Sequence, residues 1–451
     1  MAIIKRRLLF WLLKAYLKKW GKLFILFFIL GLLVFFLILL FFTYFSSRLF
    51  PQKQTIISIV GSYTPATLPE FILEDVSHGL TKVNRNGSTD PDIATSWEIT
   101  DNGKTYTFHL GKNIFFTDGS PLTAQDINYN FSDVTVQKPD KNTIIFHLKD
   151  TYAPFLVTVS RPIFKNGFVG IGNTKIQNIT FNSGFIESIK LSSTKGTHSE
   201  ITYIFYPTQE SVKVAFALGE ISEINMISNT TLQNESVTTF PNVSIKKIID
   251  YTQLVSLFYN TQDKTLSDKR LRDALTYTLP NEFPVNERAH SPLSPLSWAY
   301  KEDVMHVFDI SHATLLLESS GYTDKAKVPN VTLFTLAEYE KTAEIIVDSW
   351  KKIGVTATIV VVPNVPSSFQ IYLGNFHLPK DPDQYTLWHS NQQNNITNYK
   401  NLRIDKLLEE GRKTLDQQTR VKAYTDFQKY LMDDAPASFL YFPVTYTITR
   451  K

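Results

Sequence analysis

The residues of this chain that could do chemistry do not form a recognisable catalytic or metal-binding pattern. There is no cysteine, which excludes disulfides, thiolate metal sites, a cysteine nucleophile and attachment through a lipidated N-terminal cysteine. The nine histidines are scattered and form no His-Glu-x-x-His pattern. Ser192 and Lys195 fit a Ser-x-x-Lys motif, but no Lys-Thr-Gly element accompanies it, and Gly196 and Thr197 indicate a loop. The sequence therefore predicts a protein that is not an enzyme and that holds no cofactor.

The N-terminus carries the pattern of a membrane anchor. Residues 1–22 hold seven basic residues, and residues 23–45 are an uncharged run in which twenty of the 23 residues are Leu, Ile, Val or Phe. A helix of this length spans about 34 Å, enough to cross a hydrocarbon core of about 30 Å. The run exceeds the apolar stretch of a cleaved signal peptide, about 7–15 residues. Because the basic flank precedes the run, the N-terminus is predicted to be cytoplasmic and the rest extracytoplasmic.

The residues beyond the anchor have the composition of a mildly acidic globular protein. Without the seven N-terminal basic residues, 39 basic residues remain against 42 acidic ones, so no nucleic-acid-binding surface is expected. Residues 105–110 alternate apolar and polar side chains, as in a half-buried strand. Apolar residues within 339–353 recur at helical spacing, Gly354 ends this helix, and the β-branched residues 355–362 follow as a strand. Asp416 is a candidate N-cap of a further helix, and the pattern as a whole predicts an α/β protein.

Several segments match a known family in order and spacing. The strongest are Gly79-Leu80-Thr81 and residues 92–98, 101–108 and 116–127. Over about residues 55–448 the chain resembles the extracytoplasmic solute-binding proteins of family 5, the oligopeptide- and dipeptide-binding receptors of ABC importers. Later segments that agree with this resemblance are 258–260, 268–275, 294–298, 313–322, 381–383, 388–390 and 405–408.

The resemblance implies an α/β, two-lobed fold of the type-II periplasmic-binding-protein kind, preceded by one transmembrane helix. The extra subdomain typical of the family is expected to be reduced, because the chain passes almost directly from Phe131 to Val134 where the family has a long helical and loop stretch. The expected divisions are a cytoplasmic segment 1–22, an anchor 23–45, a linker 46–54, lobe I 55–255 with the inserted subdomain at about 81–165, lobe II 256–434, and a return to lobe I at 435–451.

The resemblance also implies that a solute is enclosed between the lobes. Peptide-binding relatives often carry an aspartate three residues before an acidic-Pro pair, where it holds the ammonium group of the peptide. This chain has Leu378 there, and a buried ammonium without a carboxylate is costly, so the ligand is expected to lack a free N-terminus or to bind in another register unless Asp381 or Asp383 substitutes. Aromatic residues offer rigid contact area. The predicted ligand-binding residues are Tyr63, Tyr259, Asn260, Trp298, Asp381, Asp383, Tyr385, Trp388 and His389.

The predicted function is a membrane-anchored receptor that delivers peptides or similar small solutes to the permease subunits of an ABC importer. Two alternatives stay open on the sequence alone. One is a receptor for a nickel or haem ligand, as occurs among relatives. The other is a degenerate receptor that serves as a partner-binding surface protein, which the shortened stretch after Phe131 and the change at Leu378 both motivate.

Overall fold

The structure is a computed structural model that describes residues 2–49, 54–194, 200–302, 308–323 and 328–451. These residues form a long N-terminal helix, two α/β lobes, and a small β-rich subdomain inserted in the first lobe. Lys195 of the Ser-x-x-Lys pattern lies outside the described residues. Helices and strands are numbered below in chain order.

Helix α1 (Ala2–Leu49) precedes the globular part. Its window Lys18–Phe41 is long and apolar enough to cross a membrane, and none of that window is buried within the protein. Of the predicted linker 46–54, residues 46–49 belong to α1 and Gln54 belongs to the first strand, while 50–53 lie outside the described residues. Residues 46–49 include neither Gly nor Pro, so no residue there breaks the helix.

The inserted subdomain follows the first strand and helix of lobe I. Residues 105–110 form a strand, as predicted from their period-two alternation, and Tyr106, Phe108 and Leu110 are buried in one cluster. Two residues separate Phe131 from the next strand, and the reduction of the subdomain relative to the family stays a prediction. The elements up to this point are β1 (Gln54–Val60) and α2 (Glu70–Val76) of lobe I, then β2 (Thr81–Val83), β3 (Thr89–Pro91), β4 (Ala94–Thr100), β5 (Thr105–Leu110), β6 (Val134–Gln137), β7 (Thr143–Leu148) and α3 (Phe155–Thr158) of the subdomain.

The chain then completes lobe I. The two faces of β1 are covered by different helices, because Ile59 packs with Ile72 of α2 while Ile56 packs with Phe216 of the next helix. The added elements are β8 (Thr174–Asn182), β9 (Phe185–Ser193), β10 (Glu200–Tyr206), α4 (Gln209–Leu218), β11 (Glu223–Ile227), β12 (Thr231–Leu232), β13 (Glu235–Ser236) and β14 (Val243–Ile249).

Lobe II is built on a second sheet with a separate apolar cluster on each face. Val255 and Leu257 face the cluster that contains Trp350, whereas Leu254 and Phe258 face the cluster that contains Trp388. Its elements are β15 (Gln253–Tyr259), α5 (Lys269–Tyr277), β16 (Glu287–Arg288), α6 (Ile310–Ser319), β17 (Asn330–Thr335), α7 (Glu340–Lys351), β18 (Thr356–Val361), β19 (Ile371–His377), α8 (Tyr385–Trp388), α9 (Leu402–Lys413), α10 (Gln417–Asp434) and β20 (Ala437–Phe442), after which β21 (Val444–Arg450) returns to lobe I.

The sheets show how the chain passes between these units. Lobe I has the strand order β14-β21-β11-β1-β10-β9-β8, with β1 parallel to β10 and β11. Lobe II has the order β16-β20-β15-β19-β17-β18, and the subdomain has the order β4-β5-β7-β6 with β2 and β3 as a separate hairpin. The chain therefore enters lobe II between β14 and β15 and leaves it between β20 and β21.

These two crossings lie side by side and form a hinge. The backbone N–H of Asp250 in the first crossing donates to the carbonyl of Pro443 in the second, at 2.9 Å. The sequence placed the crossings at 255–256 and 434–435, whereas the structure places them at 250–252 and 443. The difference arises because every residue of β20, and all but the first of β15, is buried, so neither strand contains a polar boundary signal.

The structure confirms two further local predictions. Helix α7, Gly354 and strand β18 form the predicted helix–glycine–strand unit, and the positive φ of Gly354 (88°) is a conformation that favours glycine. Asp416 caps α10, because its carboxylate accepts a hydrogen bond from the backbone N–H of Thr419 at 2.8 Å.

Candidate ligand-binding site

An apolar pocket of about 180 Å³ lies beside the sheet of lobe II. It exists because β15 and β19 each place alternate residues on one face, where Phe258 pairs with Tyr372 across the ladder. Helix α8 closes the pocket with Trp388, whose ring lies 6.5 Å from Phe376 in an edge-on arrangement. We call this site the Trp388 pocket and define it by Phe258, Val365, Tyr372, Asn375, Phe376, Leu387, Trp388, Asn394, Ile396 and Thr397.

The turn that joins β19 to α8 is fixed by two arginines. Asp381 pairs with Arg420 at 2.6 Å, and both residues are buried, with 5% and 7% of their surfaces exposed. Burial raises the pKa of Asp381, and the guanidinium of Arg420 opposes that rise. Asp383 pairs with Arg412 at 2.8 Å and also accepts the backbone N–H of Tyr385. The two carboxylates proposed as substitutes for an ammonium partner are therefore already neutralised within lobe II.

A larger cavity of about 920 Å³ lies where lobe I, the inserted subdomain and lobe II meet. Lobe I contributes Glu70 of α2, the subdomain contributes 130–134 and 148–161, and lobe II contributes Lys380, Tyr385 and α9. Its volume falls in the range of about 300–1,000 Å³ found for small-molecule sites. We call it the interlobe groove and define it by Glu70, Asn130, Phe131, Ser132, Asp133, Val134, Leu148, Lys149, Asp150, Thr151, Tyr152, Phe155, Val157, Thr158, Ser160, Arg161, Lys380, Tyr385, Glu409, Arg412 and Lys413.

The lobes touch along a seam at one side of this groove. Lys380 of lobe II lies 3.0 Å from a carboxylate oxygen of Glu70 and 2.9 Å from one of Glu74, both on α2 of lobe I. Burial lowers the pKa of Lys380, but the hydrogen bonds to Glu74 and Glu70 outweigh it, so the net shift is upward. The backbone N–H of Trp298 in lobe II donates to the carbonyl of Asn86 in the subdomain at 3.0 Å. At this seam, lobe II thus contacts lobe I through side chains and the subdomain through the backbone.

Tyr385 lines the groove, and the buried His389 lies behind it. Their rings stack with centroids 4.2 Å apart, and the guanidinium of Arg412 lies 4.0 Å from the centre of the Tyr385 ring. Nδ1 of His389 accepts the backbone N–H of Asn391 at 3.2 Å, and Nε2 faces a carboxylate oxygen of Glu409 at 3.4 Å. Among the described residues, no three His, Asp or Glu side chains are placed to hold a metal ion.

Two predicted residues on or next to β15 lie away from the Trp388 pocket. Tyr259 is fully buried on the opposite face of the sheet, where its hydroxyl is 2.8 Å from the Ser438 hydroxyl. Asn260 follows β15 and ties two loops together, because its amide donates to the Phe369 carbonyl and its oxygen accepts from the Asn398 amide. Their arrangement is that of structural residues, and their contact with ligand stays a prediction.

The other two aromatic candidates lie in different units. Tyr63 follows β1 in lobe I, donates its hydroxyl to the Val60 carbonyl at 3.0 Å, and packs against Phe205. Trp298 lies at the seam, edge-on to Tyr424, with its ring under the guanidinium of Arg420. The structure therefore brings six of the nine predicted residues into one region of lobe II, around α8 and α10, and leaves Tyr63, Tyr259 and Asn260 outside it.

Residues that the sequence did not single out make up most of both cavities. Phe258, Tyr372 and Phe376 line the Trp388 pocket, and Tyr152 and Arg412 line the groove. The pocket residues could have been found from the period-two alternation of 371–377, which puts Tyr372 and Phe376 on one face. The groove residues carry no local signal, because the subdomain and α9 are distant in sequence and meet through tertiary packing.

Two lobes that join through a two-strand hinge and enclose a groove define a solute-binding receptor of the periplasmic-binding-protein kind. The model of the bacterial extracellular solute-binding proteins, family 5 (middle), matches residues 88–185 and 193–398, which is more than half of the chain. The chain therefore belongs to the extracellular solute-binding proteins of family 5.

Individual relatives agree with this family. The chain is 25% identical over 439 residues to the oligopeptide-binding protein AppA of Bacillus subtilis, with 81% of this chain and 80% of that protein covered. The structure of that protein in complex with a nonapeptide is similar with a TM-score of 0.66 at 21% identity, covering 88% and 94% of the two chains. NikZ from Campylobacter jejuni in complex with Ni(L-His) is similar with a TM-score of 0.74 at 21% identity, covering 89% and 95%. Both likenesses support the two-lobed α/β fold.

Proposed function

We propose that this protein is an extracytoplasmic receptor that encloses a peptide or peptide-like solute between its lobes and delivers it to an ABC importer. The observation that carries the proposal is the interlobe groove of about 920 Å³, which all three units line at the point where they meet. Its walls combine aromatic rings with side chains of both charge signs, as a zwitterionic peptide requires. The relatives named for peptide binding favour the same ligand class.

The proposed site consists of the groove and the Trp388 pocket, which lie on either side of the segment 378–388. Lys380 and Tyr385 of this segment line the groove, whereas Leu387 and Trp388 line the pocket. Because two buried carboxylates, Asp381 and Asp383, fix this segment to arginines of lobe II, it can present a rigid surface to a solute while the lobes move about the hinge at 250–252 and 443.

The test is to identify the solute and then to perturb one wall of the groove. The full-length protein, purified gently and denatured, should release peptides that mass spectrometry identifies, and synthetic copies should raise its melting temperature. Tyr385→Leu should weaken their binding about tenfold, since a ring stacked under Arg412 is lost. Tyr430→Leu is a matched control, because Tyr430 lies 4.3 Å under Arg403 in the same lobe but outside the groove.

Other released molecules would select the alternatives. A nickel chelate or haem would replace the peptide assignment. No solute and no peptide-induced stabilisation would favour a partner-binding surface protein in place of a transport receptor.

We further propose that α1 anchors the receptor in a membrane with its N-terminus in the cytoplasm. The apolar window Lys18–Phe41 and the basic residues before it support this orientation. Protease added to intact spheroplasts should digest the globular part and spare the N-terminal segment. A globular part that survives this treatment would show that the orientation is reversed.

A further inference from the structure

We infer that the Trp388 pocket is a subsite for one uncharged aromatic ring of the solute. The inference deepens the proposed function and rests on it in one respect, namely that the ring belongs to a transported solute. It is drawn from the volume of the pocket, the chemistry of its walls and its access to solvent.

The volume suits a single six-membered ring. The pocket measures about 180 Å³, and an apolar protein cavity of about 150 Å³ is known to take up benzene. A methyl group would leave most of the space empty and would forfeit the contacts that a ring makes with the walls.

The walls consist mostly of carbon, and two of their polar groups are hydrogen-bonded within the protein. Three rings, those of Phe258, Tyr372 and Trp388, are almost fully buried. The indole N–H of Trp388 donates to the side-chain oxygen of Gln384 at 2.8 Å, and the hydroxyl of Thr397 donates to Asn395 at 2.8 Å. Burial raises the pKa of the Tyr372 phenol, so this group is neutral at physiological pH.

The same walls disfavour a charged side chain of the solute. No carboxylate, ammonium or guanidinium group is among the described residues that line the pocket. The acids of the neighbouring turn, Asp381 and Asp383, are paired with Arg420 and Arg412. A lysine or glutamate side chain in the pocket would therefore be desolvated without an opposite charge, whereas a phenyl ring finds edge and face contacts with the walls.

The pocket is preformed and open at one side. Phe258 stacks on Tyr372 with ring centroids 6.2 Å apart and on Trp388 at 6.5 Å, so the walls hold one another in place. Val365 also lines the pocket and is 55% exposed, which marks the side that a ring can enter from solvent. A bulky substitution at this exposed residue can close the entrance without disturbing the buried walls.

The first experiment follows N-acetyl-4-fluorophenylalanine amide, an uncharged aromatic probe, by fluorine NMR on the full-length protein. The probe should show saturable binding, and Val365→Trp should weaken that binding at least about tenfold by occupying the entrance. Leu402→Trp is the control, because Leu402 is 86% exposed and lies outside the pocket. N-acetyl-lysine amide should fail to displace the probe.

The second experiment compares alanine tetrapeptides that carry one phenylalanine at each position in turn. At one position phenylalanine should raise the affinity at least about tenfold, and Val365→Trp should abolish that gain. Probe binding that Val365→Trp leaves unchanged, or equal binding of the lysine and phenylalanine probes, would overturn the inference. Probe binding that depends on Val365, with no tetrapeptide bound, would uphold the ring subsite and remove peptides from the proposed function.

Discussion

Two neighbouring residues of one turn, Lys380 and Asp381, form ion pairs that differ in exposure to solvent. Lys380 reaches across the seam to Glu70 and Glu74, and all three side chains are 39–50% exposed. Asp381 turns into lobe II and pairs with Arg420, where both side chains are 9% exposed or less. Exposed pairs are weak and sensitive to salt, whereas a buried pair cannot be broken without leaving a charge unpaired.

The difference between these ion pairs separates a segment that must stay fixed to lobe II from a contact between the lobes that must break when the solute is released. The segment that carries Tyr385 and Trp388 is fixed to lobe II by the buried Asp381–Arg420 pair and by Asp383, which pairs with the partly exposed Arg412. The ion pairs that join Lys380 to lobe I are made by side chains that water can replace. A receptor that captures and releases a solute needs both properties, since a rigid half-site has to move as one body about the hinge.

The largest effect is expected from breaking the buried pair. Arg420→Met removes the partner of Asp381 and the donor to the Gly411 carbonyl, so the free energy of unfolding should fall by about 3–5 kcal/mol. Chemical denaturation of the full-length protein measures it. Lys351→Met is the control, because Lys351 and Asp348 form an exposed pair that is worth at most about 0.5 kcal/mol. Equal losses in the two variants would remove the distinction between buried and exposed pairs.

A second buried acid in lobe II lacks the partner that Asp381 has. Asp273 on α5 is 8% exposed, and no donor in the described part of the chain reaches its Oδ1. Burial raises its pKa from 3.8 to about 7, with Lys269 and Arg272 opposing the rise and Asp433 and Asp434 adding to it. Because the folded state holds this proton more tightly than the unfolded state, stability declines as pH rises from about 4 to about 7.

Asp273→Asn should therefore stabilise the protein at pH 8, by about 1–3 kcal/mol, and leave it little changed at pH 4. Melting temperatures of variant and wild type, measured across this range, give the difference. Asp348→Asn on the exposed face of α7 should not change the pH profile. A variant that gains nothing above pH 7 would mean that Asp273 finds a partner after all.

The sequence predicted local structure well where one residue sets the backbone. Gly354 ends a helix through its positive φ, and Asp416 caps one through its carboxylate, so both boundaries could be read directly. The sequence did not predict the positions of the lobe crossings, because β15 and β20 are buried apolar strands whose composition suits the sheet of either lobe. Which sheet a buried strand joins is decided by pairing with distant residues.

In the candidate site, too, local features could be predicted from the sequence, whereas features set by distant packing could not. Trp388 was predicted because its segment matches the family, and Tyr385 as a nearby aromatic residue. Tyr259 was also predicted, but the structure places its neighbour Phe258 at the Trp388 pocket, because a one-residue step moves a side chain to the other face of a sheet. The interlobe groove was predicted only as a space between lobes. Its position follows from the packing of Tyr152 and Arg412, which are about 260 residues apart in the chain.

The turn between β19 and α8 also allows a test of whether the site binds the charged N-terminus of a peptide. Leu378 precedes the two ion-paired acids and packs against the cluster that contains Trp388. Leu378→Asp would place a carboxylate with no arginine partner at this point, so peptides with a free N-terminus should gain about tenfold over their N-acetylated forms. Leu378→Asn is the matched uncharged control. Calorimetric titration with each peptide pair gives the ratio, and an equal ratio in the two variants would show that the peptide N-terminus binds elsewhere.

The smallest effect is expected at the seam itself. Lys380→Gln removes two exposed pairs, each worth about 0.2–1 kcal/mol, so the open population should rise only a few-fold. Since the chain has no cysteine, spin labels can be attached after Val214→Cys in lobe I and Leu315→Cys in lobe II, both at exposed positions. Pulsed EPR should show a longer label distance in the Lys380→Gln background, and added salt should lengthen it in wild type.

Lys413→Gln provides the comparison, because Lys413 pairs with Glu409 within α9 and so within lobe II. Its removal should leave the distance distribution unchanged. If the two variants open the protein equally, the seam contributes nothing specific and closure depends on the hinge and the solute. If Lys380→Gln alone shifts the distribution while the melting temperature hardly changes, the weak pair controls opening and the buried pair controls stability, although adjacent residues of one turn supply both.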